Sequence, residues 1–111
     1  MSRSWLLFLE DMREAARKII RYVGGRDEKL FFADEIAVDA VLRNLEVLGE
    51  AAKGIPPVIR VAHPEVDWRG IAGLRDVLAH AYFGLDLATL WDIIRNKVPL
   101  VLDQLDRIEE R

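Results

Sequence analysis

The sequence has no cysteine, two histidines, four prolines and seven glycines among its 111 residues. Without cysteine it cannot form disulfide bonds, thiol nucleophiles or thiolate zinc sites, which fits a reducing cytosol. So little proline and glycine excludes a low-complexity chain. The apolar stretch at residues 5–9 is far shorter than the roughly 20 residues of a membrane-spanning helix, and it lacks the features of a secretory signal. We therefore expect a cytoplasmic protein without a membrane segment.

An excess of positive charge is also absent, because 16 Lys and Arg residues face 19 Asp and Glu residues and leave a net charge of −3. Domains that are held to nucleic acid by bulk charge usually have a pI above about 9, so any contact with RNA or DNA must be local. We expect a single domain, residues 1–111, that buries roughly two-thirds of its unfolded surface. Such a small domain has little room for a deep enclosed cleft.

Apolar side chains recur at steps of three and four residues, which is the spacing of amphipathic helices, and nowhere do they alternate long enough for a sheet. The pattern predicts four main helices, bounded by N-cap residues and glycines, and one short helical turn. Their expected extents are residues 4–24, 34–54, 67–84 and 86–108, with the short turn at residues 57–63. The expected N-caps are Ser4, Asp34, Asp67 and Asp86.

Pro99 lies inside the last predicted helix, so a kink or break is expected there. Four main helices with short links predict an all-α fold, built as an antiparallel up-and-down bundle with one additional helical turn. The apolar faces of the first and last helices are broader than a small four-helix core needs. They predict a symmetric homodimer.

The two histidines are the acid–base candidates near neutral pH. His63 precedes Pro64 and is expected to be a solvated or capping loop residue. His80 is more informative, because Asp76 lies one helical turn before it and their side chains can meet. Arg75 and His80 diverge by about 140° on a helix. They converge only if the arginine side chain wraps round, if the helix ends near His80, or if a second copy contributes across a two-fold axis.

On spacing alone, the simpler interpretation of this segment is structural. Asp76 and His80 would form an intrahelical pair, Arg75 would be a surface charge, and Tyr82 would be a half-buried packing residue. A short run of Arg, His and Tyr at this spacing is expected to occur often by chance.

Other polar and aromatic features are also expected to be structural. Glu46 and Glu50 lie one turn apart and could serve acid–base or metal chemistry, but such pairs more often form a solvated helix face. Gly49 lies between them and predicts close packing against a neighbouring helix. The three tryptophans are expected in the core or an interface. A basic stripe on the first helix is expected to be part of a solvated face of mixed charge; it comprises Arg13, Arg17, Lys18 and Arg21.

The run at residues 75–83 resembles the signature of the HEPN superfamily, and specifically the HepT-like toxins of nucleotidyltransferase–HEPN (MntA/HepT) pairs. Residues 43–53 are similar to the second-helix block of that family. Trp68 and the pair Leu74 and Arg75 fit its third helix, while residues 90–91 and 98–99 fit its last helix. The resemblance extends in order and spacing over residues 4–105.

This resemblance implies an all-helical homodimer whose motif lines a cleft between subunits and cleaves RNA without a metal or cofactor. Arg75 and His80 take the catalytic positions. A 2′-hydroxyl would attack the adjacent phosphate while His80 moves a proton and Arg75 stabilises the phosphorane. The products would carry a 2′,3′-cyclic phosphate and a 5′-hydroxyl. Tyr82 is implied to be the residue that a partner nucleotidyltransferase, the antitoxin, modifies with AMP, which places bulk and negative charge beside Arg75.

Asp76 departs from the family pattern, in which asparagine commonly follows the motif arginine. A carboxylate beside His80 favours the imidazolium and raises its pKa, which suits an acid more than a base. It also adds negative charge where an RNA phosphate should lie. Three functions therefore remain open: a ribonuclease toxin silenced through Tyr82, a non-catalytic module that binds a nucleotide or a partner, and a helical dimerisation domain with an incidental motif.

Overall fold

The computed structural model describes residues 4–81 and 86–109, and of His80 and Ala81 it describes only the backbone. Every regular element within these ranges is helical, and none of their residues lies in a strand, so the all-α prediction is confirmed. A π-helical segment, Ile93–Lys97, joins the last two helices. The helices are α1 Trp5–Val23, α2 Glu28–Ala33, α3 Glu35–Ala52, α4 Pro57–Ala62, α5 Trp68–Ala72, α6 Leu74–Ala81, α7 Leu87–Asp92 and α8 Val98–Asp106.

The helix starts follow the predicted capping residues. In each of four helices the side chain of the N-cap accepts a hydrogen bond from a backbone amide two or three residues later, which satisfies one otherwise unpaired donor. These N-caps are Ser4, Asp34, Asp67 and Asp86. Gly24 ends α1 at a φ of 60°, which side chains rarely permit, and its amide donates to the carbonyl of Ile20. The short helical turn predicted at residues 57–63 is present as α4.

Two predictions about helix continuity were wrong. The link before α3 contains the short helix α2, which Asp27 caps and whose Phe31 is buried against the core. The predicted third helix is divided into α5 and α6 at Gly73, whose φ of −89° and ψ of 6° lie outside the helical region. The amide of Gly73 donates to the carbonyl of Arg69 and so ends α5.

The predicted interruption at Pro99 occurs one turn earlier than expected. The proline ring would collide with the carbonyl of residue 95 in a regular α-helix, and that residue lies in the π-helical segment Ile93–Lys97, where the turn is wider. Pro99 itself lies in the first turn of α8, where its missing amide hydrogen leaves no helical bond unmade. The chain therefore passes the proline by a change of helical register.

The core is centred on the packing of α1 against α3. The helix α8 packs on α1, while α5 and α6 pack on α3. A Cβ atom on Gly49 of α3 would lie 2.9 Å from the carbonyl oxygen of Ile71 and 3.4 Å from Cβ of Leu74. The close approach predicted at Gly49 is thus confirmed. None of the described helices is both long and apolar enough to cross a bilayer.

Arg13 is the exception to the predicted solvated face of α1. Its residue is only 8% exposed, and its Nη2 donates to the carbonyl oxygens of Leu105 at 2.9 Å and Ile108 at 3.0 Å. Leu105 lies in the last turn of α8 and Ile108 lies just beyond its end, where the helix dipole favours a cation. Arg13 therefore fastens the C-terminal end of α8 to α1, and this residue belongs to the core.

Candidate functional site

A groove of about 530 Å³ lies where α1, α3, α5 and α6 meet. The helix α1 contributes Phe8 and Asp11, and α6 contributes Arg75. One face of α3 forms the longest wall, with the side chains of Arg43, Glu46, Val47 and Glu50. This volume is in the range of small-molecule and nucleotide sites, which run from about 300 to 1,000 Å³.

The composition of the α3 wall follows from helical spacing. Residues 43, 46, 47 and 50 are separated by three or four positions and therefore share one face. The opposite face is buried, since Leu45 and Leu48 are fully enclosed by the core. Gly49 brings the backbone of Ile71 against α3. The absence of a side chain at position 49 thus allows Arg75 to line the same groove as the polar face of α3.

Arg75 is exposed in the first turn of α6. It forms no hydrogen bond or ion pair with any residue in the ranges 4–81 and 86–109. Leu74 and Leu78, which are 7% and 6% exposed, anchor the inner face of α6. The anchored helix therefore presents to the groove a guanidinium that has no partner among the described residues and can bind an anionic ligand.

The groove carries charges of both signs. Of the lining residues in the described ranges, Arg43 and Arg75 are cationic and three are carboxylates; the carboxylates are Asp11, Glu46 and Glu50. Arg43 approaches Glu46 only to 4.0 Å, whereas Lys53 contacts Oε1 of Glu50 at 3.0 Å. Exposed pairs of this kind contribute about 0–1 kcal/mol each, so a ligand can displace them at little cost.

The remaining motif residues are placed only in part. His80 lies in α6, but its side chain is outside the described residues, as is Tyr82 altogether. Asp76 is exposed beside Arg75 and makes no ion pair in the part of the chain that the structure describes. The pairing of Asp76 with His80 and the position of Tyr82 therefore remain predictions.

His63 lies apart from the groove, at the end of α4. Its carbonyl accepts a hydrogen bond from Nε1 of Trp68 at 2.9 Å, and its Nδ1 is 3.5 Å from Glu65. The amide of His63 donates to the carbonyls of Ile59 and Arg60 and so ends α4, which agrees with the predicted capping role. Within the described ranges, no three His, Asp or Glu side chains come together in a way that could hold a metal ion.

The sequence pattern did not single out Phe8 or Arg43, and it favoured a solvated face for Glu46 and Glu50. All four residues line the groove beside Arg75. Their spacing alone is that of an ordinary polar helix face. The one available signal was Gly49, because a glycine inside an amphipathic helix marks where another element comes close.

In the part of the chain that the structure describes, fold and groove together define a small all-α protein whose Arg75 has no partner there and lies beside a face of mixed charge. Residues 12–108 match the family described as "Ribonuclease HepT-like". The chain is 36% identical over 110 residues to "Probable ribonuclease HepT" of Thermococcus cleftensis, covering 99% of this chain and 100% of that protein. It is 40% identical over 101 residues to "Putative RNase MJ0127" of Methanocaldococcus jannaschii, covering 91% of this chain and 84% of that protein. No solved structure shows a significant match.

The chain therefore belongs to the HepT-like ribonuclease family, and the resemblance inferred from its motifs is confirmed. By this homology it is a ribonuclease.

Proposed function

We propose that this ribonuclease is the toxin of a type VII toxin–antitoxin pair, that it cleaves RNA without a metal, and that it acts as a homodimer of up-and-down helical bundles. The observation that carries the proposal is Arg75, an exposed guanidinium that lines the groove and has no partner among the described residues. A phosphodiester is the anion that such a group binds in RNA.

The chemistry needs one anion-stabilising group and two proton transfers. The 2′-hydroxyl of the RNA attacks the adjacent phosphorus, its proton passes to a base, and the 5′-oxygen leaves with a proton from an acid. Arg75 stabilises the negative charge of the phosphorane. Asp76 lies one helical turn before His80, and a pairing of the two side chains would favour the imidazolium that the acid requires. A second copy of the motif across the dimer axis would supply the base.

Modification of Tyr82 would silence this site. Tyr82 follows α6, the helix that carries Arg75, and an AMP group on its hydroxyl adds a phosphate and a nucleoside. The phosphate would compete with RNA for the guanidinium, as an added phosphoryl group commonly does at an arginine site. A partner nucleotidyltransferase acting as antitoxin would transfer the AMP from ATP: the Tyr82 oxygen bonds to the α-phosphorus, its proton is lost, and pyrophosphate leaves.

Cleavage of purified cellular RNA by wild type, Arg75→Ala and His80→Ala tests the catalytic assignment. Removal of one group that stabilises the transition-state charge typically costs about 10²- to 10³-fold in rate, and a similar loss is expected from each variant. Arg69→Ala is the matched control, since Arg69 is also exposed, on α5, but does not line the groove. Equal cleavage by all four proteins would refute the roles of Arg75 and His80.

Modification is tested separately by intact mass after coexpression with a candidate partner nucleotidyltransferase. We expect added AMP masses on the wild type and none on Tyr82→Phe. Their absence from the wild type would remove the regulatory proposal and leave the nuclease proposal standing.

A second function is favoured by one observation, the exposed carboxylate of Asp76 beside Arg75. Negative charge there disfavours a phosphorane and leaves room for a non-catalytic module that binds a nucleotide or a partner protein. Nucleotide binding in the absence of any RNA cleavage, with both properties unchanged in His80→Ala, would support this alternative.

A further inference from the structure

The charge of the groove does not match a channel for a nucleic-acid backbone. Grooves that follow a single-stranded backbone are lined with positive charge. Among the lining residues that the structure describes, three carboxylates face two guanidiniums, and Glu46 and Glu50 share one face of α3 with Arg43. A backbone phosphate can be held at Arg75, but a second phosphate along α3 would meet carboxylates. The α3 wall therefore suits a different part of the RNA.

Carboxylates accept hydrogen bonds and cannot donate them, so a ligand on this wall must present N–H or O–H groups. Among the nucleobases, guanine presents two adjacent donors, N1–H and the 2-amino group, on a single edge. A carboxylate can accept both at once, whereas adenine and cytosine offer one amino group beside a ring acceptor that the carboxylate would repel. The half-buried Phe8 and Val47 line the same groove and supply the apolar surface on which a base packs.

Of the two carboxylates on α3, Glu46 is the less engaged. Its contact with Arg43 measures 4.0 Å, beyond hydrogen-bond distance, and its side chain is 54% exposed. Glu50 forms a hydrogen bond of 3.0 Å with Lys53. Glu46 can therefore accept two hydrogen bonds from a ligand without first giving up one of its own.

We propose that the α3 face of the groove is a base-binding subsite in which Glu46 selects guanine, while Arg75 holds the neighbouring phosphate. The proposal rests on the proposed ribonuclease function and makes it base-selective. Glu46 here is a residue that contacts the substrate base and determines specificity.

The test uses oligouridines that carry one variable nucleotide: guanosine, inosine, adenosine or cytidine. Inosine differs from guanosine only in lacking the 2-amino group. Cleavage beside the variable nucleotide is measured for the wild type, Glu46→Gln and, as the matched control, Glu50→Gln. Affinity is measured in parallel with 2′-deoxy versions, which the proposed reaction cannot cleave.

Loss of one hydrogen bond to a charged group typically costs about tenfold or more in affinity. The wild type and Glu50→Gln should therefore favour guanosine over inosine and adenosine by about tenfold or more in both cleavage and affinity. Glu46→Gln should lose most of this preference, so that strands with guanosine, inosine and adenosine are bound and cleaved to a similar extent.

Each other result has one meaning. Cleavage by the wild type without preference for guanosine overturns the subsite and leaves the ribonuclease proposal intact. A rate loss in Glu46→Gln that is equal for every base also overturns it, because Glu46 would then act in the chemistry and not in selection. The wild type could also bind guanosine strands selectively and never cleave them. If Glu46→Gln then lost that selectivity, the subsite would be supported and the ribonuclease proposal refuted.

Discussion

Replacing Gly49 by alanine tests whether the approach of α5 and α6 to α3 positions the groove. The new Cβ would lie 2.9 Å from the backbone oxygen of Ile71 and 3.4 Å from Cβ of Leu74. An ordinary carbon–oxygen contact is about 3.3–3.6 Å, so the chain around Ile71 must retreat by about 0.4–0.7 Å. A backbone carbonyl cannot rotate away as the end of a flexible side chain can. The retreat must therefore involve the helices themselves.

Two free-energy terms oppose each other in this variant. Overpacking a buried contact typically costs about 1–3 kcal/mol, whereas alanine gains about 0.5–1 kcal/mol over glycine inside a helix. We expect the first term to dominate and the free energy of unfolding to fall by about 1 kcal/mol. For a domain near this size that corresponds to a drop in Tm of about 4 °C or more.

Thermal and urea unfolding at one fixed protein concentration measure this loss. Gly25→Ala is the control, since Gly25 has an ordinary φ and no atom would lie within 4 Å of its new Cβ. That variant should stay within about 0.5 kcal/mol of wild type. If Gly49→Ala proved as stable as wild type, the close approach would not constrain the packing of α3, and the reason given for the position of Arg75 would be refuted.

Two further predictions concern stability. Arg13→Met removes two charge-assisted hydrogen bonds, to Leu105 and Ile108, and should lower the free energy of unfolding measured in urea by about 2–4 kcal/mol. The control, Arg17→Met, changes an exposed position and should lower it by about 1 kcal/mol or less. Equal losses in the two variants would contradict the role of Arg13 in fastening α8 to α1. The hydrogen bond from Arg26, and then the amide of Ala37, hold the pKa of Asp34 below its ordinary value. The Asp34 carboxylate therefore stabilises the fold at pH values above its unfolded pKa, and this stabilisation is lost as the pH falls through the folded pKa. Asp34→Asn still caps α3. In acid-unfolding measurements, the difference in free energy of unfolding between wild type and Asp34→Asn should shrink below about pH 4.

The parts of the fold that the sequence predicts well are those set by near neighbours. An N-cap such as Asp34 or Asp67 bonds an amide only three residues away, so its signal is contained in a few letters. The helix α2 follows a different rule. It has six residues. Its Phe31 packs on Trp91 of α7, and the centroids of the two rings are 5.7 Å apart. No local pattern records that contact, because short helices owe their stability to tertiary packing.

The same distinction explains Arg13. On the helical wheel of α1 it belongs to a basic stripe with Arg17 and Arg21, and that pattern predicts exposure. Its partners are carbonyls at the other end of the chain, which the spacing within α1 cannot indicate. A guanidinium is buried only where hydrogen-bond acceptors pair with it. At Arg13 those acceptors are in place only once α8 has packed on α1.

The candidate site was predicted to a similar extent. The sequence pattern singled out Arg75 as a candidate site residue because its neighbours form a motif. It did not single out the face of α3 that lines the same groove. Glu46 and Glu50 have the spacing of a solvated helix face. They line a groove because Gly49 allows α5 and α6 to pack close beside them. A polar face becomes part of a groove through the element that packs next to it. Sequence spacing describes only the face.

The net charge of −3 now has a physical consequence for how this ribonuclease holds RNA. Among the lining residues that the structure describes, a strand meets two guanidiniums, Arg43 and Arg75, which neutralise few phosphates. The attraction of a single strand, and its dependence on salt, grow with the number of phosphates neutralised. Backbone attraction in one groove is therefore weak. Affinity must come instead from contacts to the bases and from a second groove in the proposed homodimer, where two weak sites on one strand reinforce each other. A carboxylate in the groove therefore lowers the affinity for RNA only a little, because the attraction to the backbone phosphates that it weakens is already small. The same carboxylate can provide the base contact proposed for Glu46.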